Sequence, residues 1–285
     1  MSKVIVTGAQ GFLGVRLVSY LEDKYEIKAC SHSDLDITDA RHVLEVFQSF
    51  QPEYVVHCAA ISDTGYAQQH PDESEQINVQ GTVNVAKACA EVGAKLIYMS
   101  SDQVYNGTDM IGGLSEFCPL APASVYGQHK LAAEDGVQAV AKDAVGLRLS
   151  WMYDLPCSPY KLNRNILVNL QNAAATAQPL SVATREYRGI TNVWEVIRRI
   201  PLCFELPGGI YNFGSENPYN SYETFIAIAR MMKIEHPEEL IIKDTQRFPE
   251  HPRNLSMDLA KLRIHGFDFP DTLEGVEQAL LAGEK

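Results

Sequence analysis

The sequence lacks the features of a membrane-spanning, metal-binding or nucleic-acid-binding chain. No run approaches the roughly 18 consecutive apolar residues that a membrane helix needs. The eight histidines and six cysteines show no metal-ligand spacing and no CxxC pair. Basic residues are scarce, because 24 Lys and Arg stand against 36 Asp and Glu, for a net charge of −12. The sequence therefore predicts no metal site, no nucleic-acid partner and no membrane partner.

The cysteines also bear on the cellular compartment. They are scattered along the chain, and several lie in apolar runs, where a free thiol packs as a small hydrophobic group. The opening segment, residues 1–7, has the pattern of a strand and lacks the layout of a signal peptide. Both observations favour reduced thiols and a cytoplasmic location over a disulfide framework.

Short apolar runs alternate with helical patterns through the first half of the chain. The predicted strands are residues 4–6, 27–30, 54–57, 96–99 and 145–149. Between them lie helical patterns with one apolar face, such as the faces of Leu13, Leu17 and Leu21 and of Val79, Val83, Ala86 and Ala90. This alternation predicts an α/β fold with a Rossmann-type, doubly wound parallel sheet.

The pattern changes beyond residue 150, where prolines interrupt it. Helices are predicted near residues 193–204, 221–232 and 272–282. We therefore expect residues 1–150 to form the Rossmann domain. Residues 151–285 should form mainly a smaller α+β substrate-binding region, with part of 185–213 returning to the first domain.

Three glycines follow the first predicted strand and begin the first predicted helix, in the sequence GAQGFLG. Glycine lets the chain turn tightly and lets the backbone approach a pyrophosphate at a helix N-terminus. The spacing is GxxGxxG instead of GxGxxG, and an ordinary strand-to-helix turn is the alternative. Because a strand precedes the motif and an amphipathic helix follows it, we expect a dinucleotide cofactor here. The predicted contacts are Gly8, Gln10, Gly11, Phe12, Leu13 and Gly14.

The end of the second predicted strand bears on the choice of cofactor. Ser31 and His32 stand where proteins that prefer NAD usually carry an acid for the ribose hydroxyls. Neither residue is acidic, and an imidazole can approach a 2′-phosphate, although an uninvolved turn is the alternative. The sequence therefore favours NADP(H), with NAD(H) as the second choice and both residues as cofactor contacts.

A tyrosine, a lysine and two serines predict acid–base chemistry. Tyr126 and Lys130 are four residues apart, so both side chains lie on one helix face, and a nearby ammonium is expected to lower the pKa of the phenol. A chance surface pair is the alternative. Ser100 and Ser101 end the fourth predicted strand, at the edge where open α/β sheets bind ligands, although they could instead cap a turn. Together these residues predict a proton donor and a hydroxyl for a substrate carbonyl.

Three motifs, TGAQGFLG at 7–14, SSDQVY at 100–105 and YGQHK at 126–130, resemble the extended short-chain dehydrogenase/reductase family. Segments 35–39, 147–153 and 251–258 resemble the dTDP-4-dehydrorhamnose reductases within that family. The resemblance covers nearly the whole chain. It implies an oxidoreductase that reduces a 4-keto sugar nucleotide with NAD(P)H, using the catalytic residues Ser101, Tyr126 and Lys130.

The resemblance implies roles for further residues. Asn78 matches the asparagine that supports the water network of the active site. The other implied cofactor contacts are Asp36, Ile37, Cys58, Ala59, Ala60, Ser100, Tyr126 and Lys130. The implied contacts of the nucleotide-sugar substrate are Asp102, Trp151, Arg188 and Arg253.

The chain departs from these reductases in its substrate half. His251-Pro252 stands where they have Arg-Pro, and 189–191 reads Gly-Ile-Thr where they have Gly-x-Pro-Thr, so the sugar, the base and the stereochemistry stay open. A sugar-nucleotide epimerase and a non-catalytic, cofactor-binding regulatory subunit are the alternatives. Gln103 counts against a dehydratase, which carries an acidic pair after its catalytic hydroxyl. A homodimer also stays open, because an apolar helix face buried in a dimer looks like one buried in a monomer.

Overall fold

The structure, a computed structural model, describes residues 1–283. Its strands are β1 Lys3–Thr7, β2 Glu26–Cys30, β3 Tyr54–His57, β4 Lys95–Ser101, β5 Val145–Leu149, β6 Trp151–Tyr153, β7 Leu180–Ala183, β8 Glu186–Arg188, β9 Ile190–Asn192, β10 Gly209–Phe213, β11 Ile241–Asp244 and β12 Arg253–Leu255. Its α-helices are α1 Phe12–Leu21, α2 Ala40–Phe50, α3 Thr64–Gln69, α4 Pro71–Glu75, α5 Thr82–Val92, α6 Val125–Val140, α7 Ile166–Thr176, α8 Val193–Arg199, α9 Ser221–Met231, α10 Pro237–Leu240, α11 Ala260–Arg263 and α12 Thr272–Gly283. A π-helical turn spans Gln76–Gly81, and 3-10 turns span Asp102–Tyr105 and Ile200–Glu205.

Six strands form the main sheet, in the order β10-β5-β4-β3-β1-β2. β1 pairs in parallel with β2 on one side and with β3 on the other, and β3 pairs in parallel with β4. The order of strand addition therefore reverses at β1. In open α/β sheets, ligands bind outside the carboxyl ends of the strands at such a point. The predicted α/β, Rossmann-type parallel sheet is confirmed.

The chain divides into two compact units. The first contains Met1–Val104, Ala121–Arg148 and Ile197–Tyr211. The second contains Tyr105–Leu120, Leu149–Val196 and the described part of the chain from residue 212 onward. This division differs from a boundary at residue 150, because 105–120 belongs to the second unit.

Long-range hydrogen bonds explain why segment 105–120 belongs to the second unit. The hydroxyl of Tyr105 donates to Oδ1 of Asn212 at 2.7 Å. The N–H of Leu114 donates to the carbonyl of Ser256 at 2.8 Å. These partners lie more than a hundred residues away along the chain, so local sequence patterns give no sign of them.

Helix patterns of the first unit agree with the sequence at α1 and α2. Leu17 and Leu21 of α1 are fully buried, as their spacing predicts. Asp39 caps α2, because its carboxylate accepts hydrogen bonds from the N–H groups of Arg41 and His42 at 3.0 Å. Val43 and Phe47 of α2 pack in one hydrophobic core with Ile5 of β1 and Val55 of β3.

Helix α5 buries a different face from the predicted one. Ala90 is exposed, whereas Val85 and Cys89 are buried. The π-helical turn before α5 holds about one residue more than an α-helical turn. One additional residue rotates everything after it by about 100° relative to a continuous α-helix. The face predicted by running an α-helical period onward from Val79 is therefore wrong at Ala90, although Ala86 of that face is buried.

The second unit has its own core and three two-stranded parallel sheets, β11-β7, β12-β8 and β6-β9. The buried residues of this core include Tyr153, Leu167, Leu170, Ile228 and Val276. Small sheets combined with helices match the α+β character expected for this part of the chain.

Within residues 1–283, all six cysteines are free thiols. None of the helices in this range is long and apolar enough to cross a membrane.

Candidate active site

The glycine turn brings the backbone at the end of β1 close to the backbone after β3. Gly8 has a left-handed φ of 65°, and a Cβ there would lie 2.6 Å from the amide nitrogen of Ala59. A Cβ at Gly14 would lie 2.2 Å from the carbonyl oxygen of Gly8, so both positions require glycine. Gly11 is the N-cap of α1 and offers no side chain to the N–H groups of the first turn. Those groups are therefore available to an anionic ligand.

A cavity of about 550 Å³ opens at this turn. The predicted residues that line it are Gly8, Gln10, Gly11, Ser31, His32, Asp36, Ile37, Cys58, Ala59 and Ala60. Residues that line it but were missed from the sequence are Leu35, Thr38, Ile61, Glu73, Gln76 and Ile77. The last three belong to α4 and the π turn. Their closeness to Asn78 in the chain was the feature from which the sequence could have predicted them.

The remaining predicted cofactor contacts lie outside the lining of this cavity. They are Phe12, Leu13, Gly14, Asn78, Ser100, Tyr126 and Lys130. Leu13 is 7% exposed and packs in the core, and the ring of Phe12 lies 4.3 Å from the guanidinium carbon of Arg16. Contact of these residues with a cofactor stays a prediction.

Two carboxylates near the end of β2 are held by neighbouring hydroxyl and N–H groups. Asp34 accepts from the N–H and the hydroxyl of Ser31 at 2.9 and 2.5 Å, and these hydrogen bonds lower the pKa of Asp34. Asp36 accepts from the N–H and the hydroxyl of Thr38 at 2.9 and 2.7 Å, which lowers the pKa of Asp36 in the same way. Both acids are exposed, as is His32. This rim of the cavity therefore combines ionised carboxylates with one imidazole.

A chain of hydrogen bonds fixes His57 beneath the glycine turn. Thr82 donates its hydroxyl proton to the carbonyl of Asn78 at 2.8 Å, so it accepts from Nε2–H of His57 at 3.1 Å. Nδ1 of His57 then accepts from the hydroxyl of Thr7 at 2.7 Å, and that hydroxyl accepts from the N–H of Ala59 at 3.4 Å. Burial, with a smaller effect of a nearby lysine, lowers the pKa of His57 to about 3. The imidazole is therefore neutral and acts as a tie between β1, β3 and α5.

Asn78, fully buried in the π turn, holds the loop after β3. Its Oδ1 accepts from the N–H of Ile61 at 2.8 Å, and its Nδ2 donates to the carbonyl of the same residue at 2.9 Å. Nδ2 also donates to Oγ of Ser74 at 3.2 Å, and that oxygen lies 3.0 Å from Nδ1 of His129 on α6. The amide thus fixes a residue that lines the cavity. The implied water network stays a prediction.

The end of β4 brings Ser101, Tyr126 and Lys130 together. The hydroxyl groups of Ser101 and Tyr126 lie close enough to interact, and Nζ of Lys130 lies 5.7 Å from the centre of the Tyr126 ring. Nζ donates to the carbonyl of Met99 at 2.8 Å. Oγ of Ser101 accepts from the N–H of Gln103 at 3.2 Å and donates to Oδ1 of Asp102 at 3.2 Å. All three predicted catalytic side chains are at least nine-tenths buried.

The pKa of Tyr126 is raised, because the side chain is buried and the charge of Asp102 adds to that effect. The interaction with Ser101 opposes the shift and does not outweigh it. The net shift is therefore upward, because burial sets its direction, whereas the sequence predicts a net lowering by Lys130. Burial also lowers the pKa of Lys130 to about 8, against the opposing charge of Glu134. At neutral pH the site holds a protonated phenol beside an ammonium.

Sequence reasoning missed two buried charged residues next to this group. Glu134 of α6 forms an ion pair with Arg148 of β5, with 2.6 Å between Oε2 and Nη2. Both side chains are less than 5% exposed. Ser100 donates its hydroxyl to Oε1 of the same carboxylate at 2.5 Å, so its side chain is engaged in this pair. Glu134 stands eight residues after Tyr126, and that helical spacing was the signal available.

The predicted substrate residues other than Asp102 lie in the second unit. The guanidinium carbon of Arg188 lies 5.4 Å from the centre of the Trp151 ring, and Nε1 of Trp151 donates to the carbonyl of Arg164 at 3.4 Å. Arg253 donates to Oε1 of Glu186 at 2.9 Å, and its strand pairs with β8, which carries Arg188. These contacts bring Trp151 and Arg188 together within that unit.

Among residues 1–283, the structure shows no group of three or more His, Cys, Asp or Glu side chains arranged to hold a metal ion.

A comparison with protein families matches residues 2–282 to the family described as RmlD substrate binding domain. Among curated proteins, the chain is similar to the spore coat polysaccharide biosynthesis protein SpsK of Bacillus subtilis. The two are 30% identical over 229 residues, which cover 80% of this chain and 78% of that protein. It is also similar to the methionine adenosyltransferase 2 subunit beta of Pongo abelii, with 29% identity over 93% of this chain and 82% of that protein.

A solved structure is similar over almost the full length of both chains. It is the dTDP-4-dehydrorhamnose reductase of Bacillus anthracis in complex with NADP, with a TM-score of 0.86 and 28% sequence identity. The similarity covers 99% of this chain and 99% of that one.

Proposed function

The chain belongs to the RmlD substrate binding domain family, and from this premise we propose that it reduces a 4-keto sugar nucleotide with a nicotinamide cofactor. The proposed substrate is a dTDP-4-dehydro-6-deoxy-L-hexose. The observation that carries the proposal is the buried group of Ser101, Tyr126 and Lys130 at the carboxyl end of β4. This group lies in the same unit as the cavity at the glycine turn. A reductase that is 28% identical to this chain has the same fold and is in complex with NADP.

The cavity fits a dinucleotide cofactor. Glycine at positions 8 and 14 lets the turn close tightly against neighbouring backbone, and phosphates can approach the N–H groups of the uncapped N-terminus of α1, at Gly11. These residues would hold the pyrophosphate, and Asp36 and Ile37 would hold the adenine. A volume of about 550 Å³ lies within the usual range of ligand cavities. When bound, a reduced nicotinamide supplies a hydride.

Tyr126 is the proposed proton donor. As the keto carbon gains the hydride, its oxygen becomes negative and takes the phenolic proton, which gives an alcohol. A raised pKa suits this role, because the phenol keeps its proton until the oxygen becomes more basic. The hydroxyl of Ser101 donates a hydrogen bond to the same oxygen as its charge develops.

Lys130 is proposed to stabilise the tyrosinate that remains. Its ammonium lies 5.7 Å from the phenol ring and is fixed by the carbonyl of Met99. An opposite charge in a buried site is effective, because little water screens it. Trp151, Arg188 and Arg253 are proposed for the sugar and the phosphates of the substrate.

We propose NADP(H) as the preferred form of the cofactor. Ser31 and His32 line the cavity after β2, and a hydroxyl with an imidazole suits a 2′-phosphate. Titration of both reduced cofactors by nicotinamide fluorescence tests this preference. Clearly tighter binding of NADH would contradict it and leave the reaction class untouched.

The reaction itself is tested by the loss of nicotinamide absorbance. Purified protein is mixed with NADPH and enzymatically prepared dTDP-4-dehydro-L-rhamnose, with Tyr126→Phe measured in parallel. We expect stoichiometric oxidation in the wild type and turnover at least ~10²-fold lower in the variant, the usual loss on removing a general acid. Binding of NADPH to the variant serves as the control for folding. Normal turnover in Tyr126→Phe would overturn the assignment of the proton donor.

A regulatory subunit is the second candidate, favoured by the 29% identity to the methionine adenosyltransferase 2 subunit beta. A chain with that role would bind NADPH, reduce no 4-keto sugar nucleotide and form a stable complex with a partner enzyme. Absence of turnover across a panel of keto sugars, together with co-purification of a partner at fixed stoichiometry, would support it. The buried Ser101, Tyr126 and Lys130 favour the reductase, since a subunit that only binds needs none of them.

A further inference from the structure

Helix α6 carries a row of three buried side chains on successive turns, Tyr126, Lys130 and Glu134. Their exposed fractions are 7%, 5% and 3%. Spacings of four residues put them on one face of the helix, and this face meets the end of β4. The first two members are the proposed proton donor and its ammonium neighbour. The third has no role in the proposed reduction so far.

Each member of the row binds a different residue at the end of β4. Tyr126 interacts with Ser101, Lys130 is hydrogen-bonded with the carbonyl of Met99, and Glu134 with the hydroxyl of Ser100. Because these strand residues are consecutive, a shift of α6 by one turn would break all three contacts at once. Glu134 therefore helps to set the register between the helix and the strand.

The carboxylate of Glu134 is held from two further directions. Nε of Arg148 donates to Oε1 at 2.9 Å and Nη2 donates to Oε2 at 2.6 Å, a bidentate contact from β5. With the hydroxyl of Ser100 on Oε1, the group connects α6, β4 and β5. A carboxylate with this many fixed donors has a defined position.

We propose that Glu134 is a positioning residue of the reduction, which fixes the register of α6 on β4 and supplies the negative charge that keeps Lys130 an ammonium beside Tyr126. This inference rests on the proposed function for the role of Lys130. It assigns a role in the reaction to Glu134, and it explains why the chain buries an ion pair between Glu134 and Arg148.

The groups that face Lys130 leave Glu134 as the source of that charge. From α6 come Tyr126, whose pKa is raised, and Glu134 itself. From the end of β3 come His57, whose pKa is lowered to about 3, and Cys58, whose pKa is raised to about 12 by burial. Phenol, imidazole and thiol are therefore neutral at neutral pH.

Two more charged groups lie near the row. Asp102, after β4, acts on Tyr126 and raises its pKa. Arg148, from β5, holds the same carboxylate by a bidentate contact, while the charge that acts on Lys130 is that of Glu134. Burial lowers the pKa of Lys130 to about 8, although the charge of Glu134 opposes this shift. Removal of this carboxylate should therefore lower the pKa of Lys130 further, into the neutral range.

The first test is the pH profile of Glu134→Gln, which keeps the shape of the side chain and removes its charge. We expect the alkaline fall of kcat/KM to move down by about one pH unit, since an opposite charge close to an ionisable group has an effect of that size. Turnover should then be about fivefold lower than wild type at pH 8 and nearly equal at pH 6. Asp135→Asn is the matched control, because it removes an exposed carboxylate from the same helix.

The outcomes separate positioning by charge from a merely structural role. A loss of turnover in Glu134→Gln that is the same at every pH would overturn the proposal. An equal shift in Asp135→Asn would also overturn it, because the effect would then belong to the net charge of the helix. If Glu134→Gln fails to fold with Arg148 left unpaired, the double variant Glu134→Gln/Arg148→Gln removes both charges and takes its place.

A second measurement does not depend on turnover. In protein labelled with ¹³C at lysine Cε, the resonance absent from Lys130→Met identifies Lys130, and its titration gives the pKa directly. We expect a lower midpoint in Glu134→Gln, or in the double variant, than in wild type. Equal midpoints would overturn the role of Glu134 whatever the activity. A wild type that reduces no keto sugar would overturn the proposed function and leave this titration to decide the electrostatic claim.

Discussion

The rim of the cavity after β2 and the buried row on α6 use similar chemical groups in opposite surroundings. At the rim, Asp36 and His32 are exposed, and hydrogen bonds from Thr38 determine the direction of the Asp36 pKa shift. In the row, burial is the largest cause of the shifts of Tyr126 and Lys130. Water screens a charge at the rim, so changes there should tune affinity slightly. In the row, water is excluded, so the loss of a single partner should lower the free energy of unfolding strongly.

The largest effect is expected when the buried ion pair is broken. Arg148→Met leaves the carboxylate of Glu134 buried without its cation, and the free energy of unfolding should fall by about 3–5 kcal/mol. The control is Arg263→Met, which breaks a pair of the same length, 2.6 Å, whose arginine is 44% exposed. There the loss should stay below about 1 kcal/mol in urea denaturation. Similar losses in both variants would break the contrast between buried and exposed charge.

A smaller effect is expected from crowding the glycine turn. Gly14→Ala places a methyl group against the carbonyl of Gly8, and overpacking of this kind costs about 1–3 kcal/mol. Binding of NADPH should weaken as well, because the turn must shift. The control is Gly275→Ala in α12, where the nearest atom would be 3.5 Å away and alanine is the better helix former. A destabilised Gly275→Ala beside a normal Gly14→Ala would argue against the steric account.

The pH dependence of stability is the next prediction. His57 has a pKa of about 3 when folded against 6.5 for an unperturbed imidazole. Below pH 6.5, His57 therefore binds a proton in the unfolded chain but not in the folded chain, and the free energy of unfolding falls as the pH falls. The contribution of His57 is about 1.4 kcal/mol per pH unit across this window. His57→Gln should flatten the slope of unfolding free energy between pH 6.5 and about 4.5 by that amount, and an unchanged slope would contradict the assignment.

The smallest effect is expected at the rim. His32→Ala should weaken NADPH binding by at most about fivefold and leave NADH binding unchanged, because an exposed charge pair contributes no more than about 1 kcal/mol. Fluorescence titration at low and at physiological salt measures it, and the difference between variants should shrink with salt. A loss far beyond tenfold would show that the rim becomes buried around the cofactor, which removes its contrast with the row.

Local patterns in the sequence were sufficient for most of the sheet and for the turn. Five of the six strands of the main sheet follow from apolar runs, whereas β10 was not predicted as a strand. The turn at Gly8 follows from spacing together with the strand before it. The π turn was out of reach, since one additional residue in a helix leaves no local signature and moves the buried face of α5 away from Ala90. Local patterns also give no sign that segment 105–120 groups with the second unit, because its partners, such as Asn212, are distant in the chain.

The residue types of the site could be predicted from the sequence, but the pKa shifts of these residues could not. Spacing alone pairs Tyr126 with Lys130, whereas the raised pKa of the phenol depends on burial and on Asp102, which spacing does not report. Glu134 continues the same helical spacing, yet its partner Arg148 lies on another strand. A carboxylate at that position looks like a solvated surface residue until its cation is known.

The hydrogen-bonded chain through His57 has a property that the other contacts lack, namely a direction. Read from the N–H of Ala59 to the carbonyl of Asn78, every proton points the same way. The ring therefore exists as a single tautomer that carries its proton on Nε2, and it cannot turn over without breaking both threonine contacts. Its two ¹⁵N frequencies should stay far apart and constant through the neutral range. The ¹⁵N signals of His57 thus report whether the hydrogen bonds that connect β1, β3 and α5 under the glycine turn are intact.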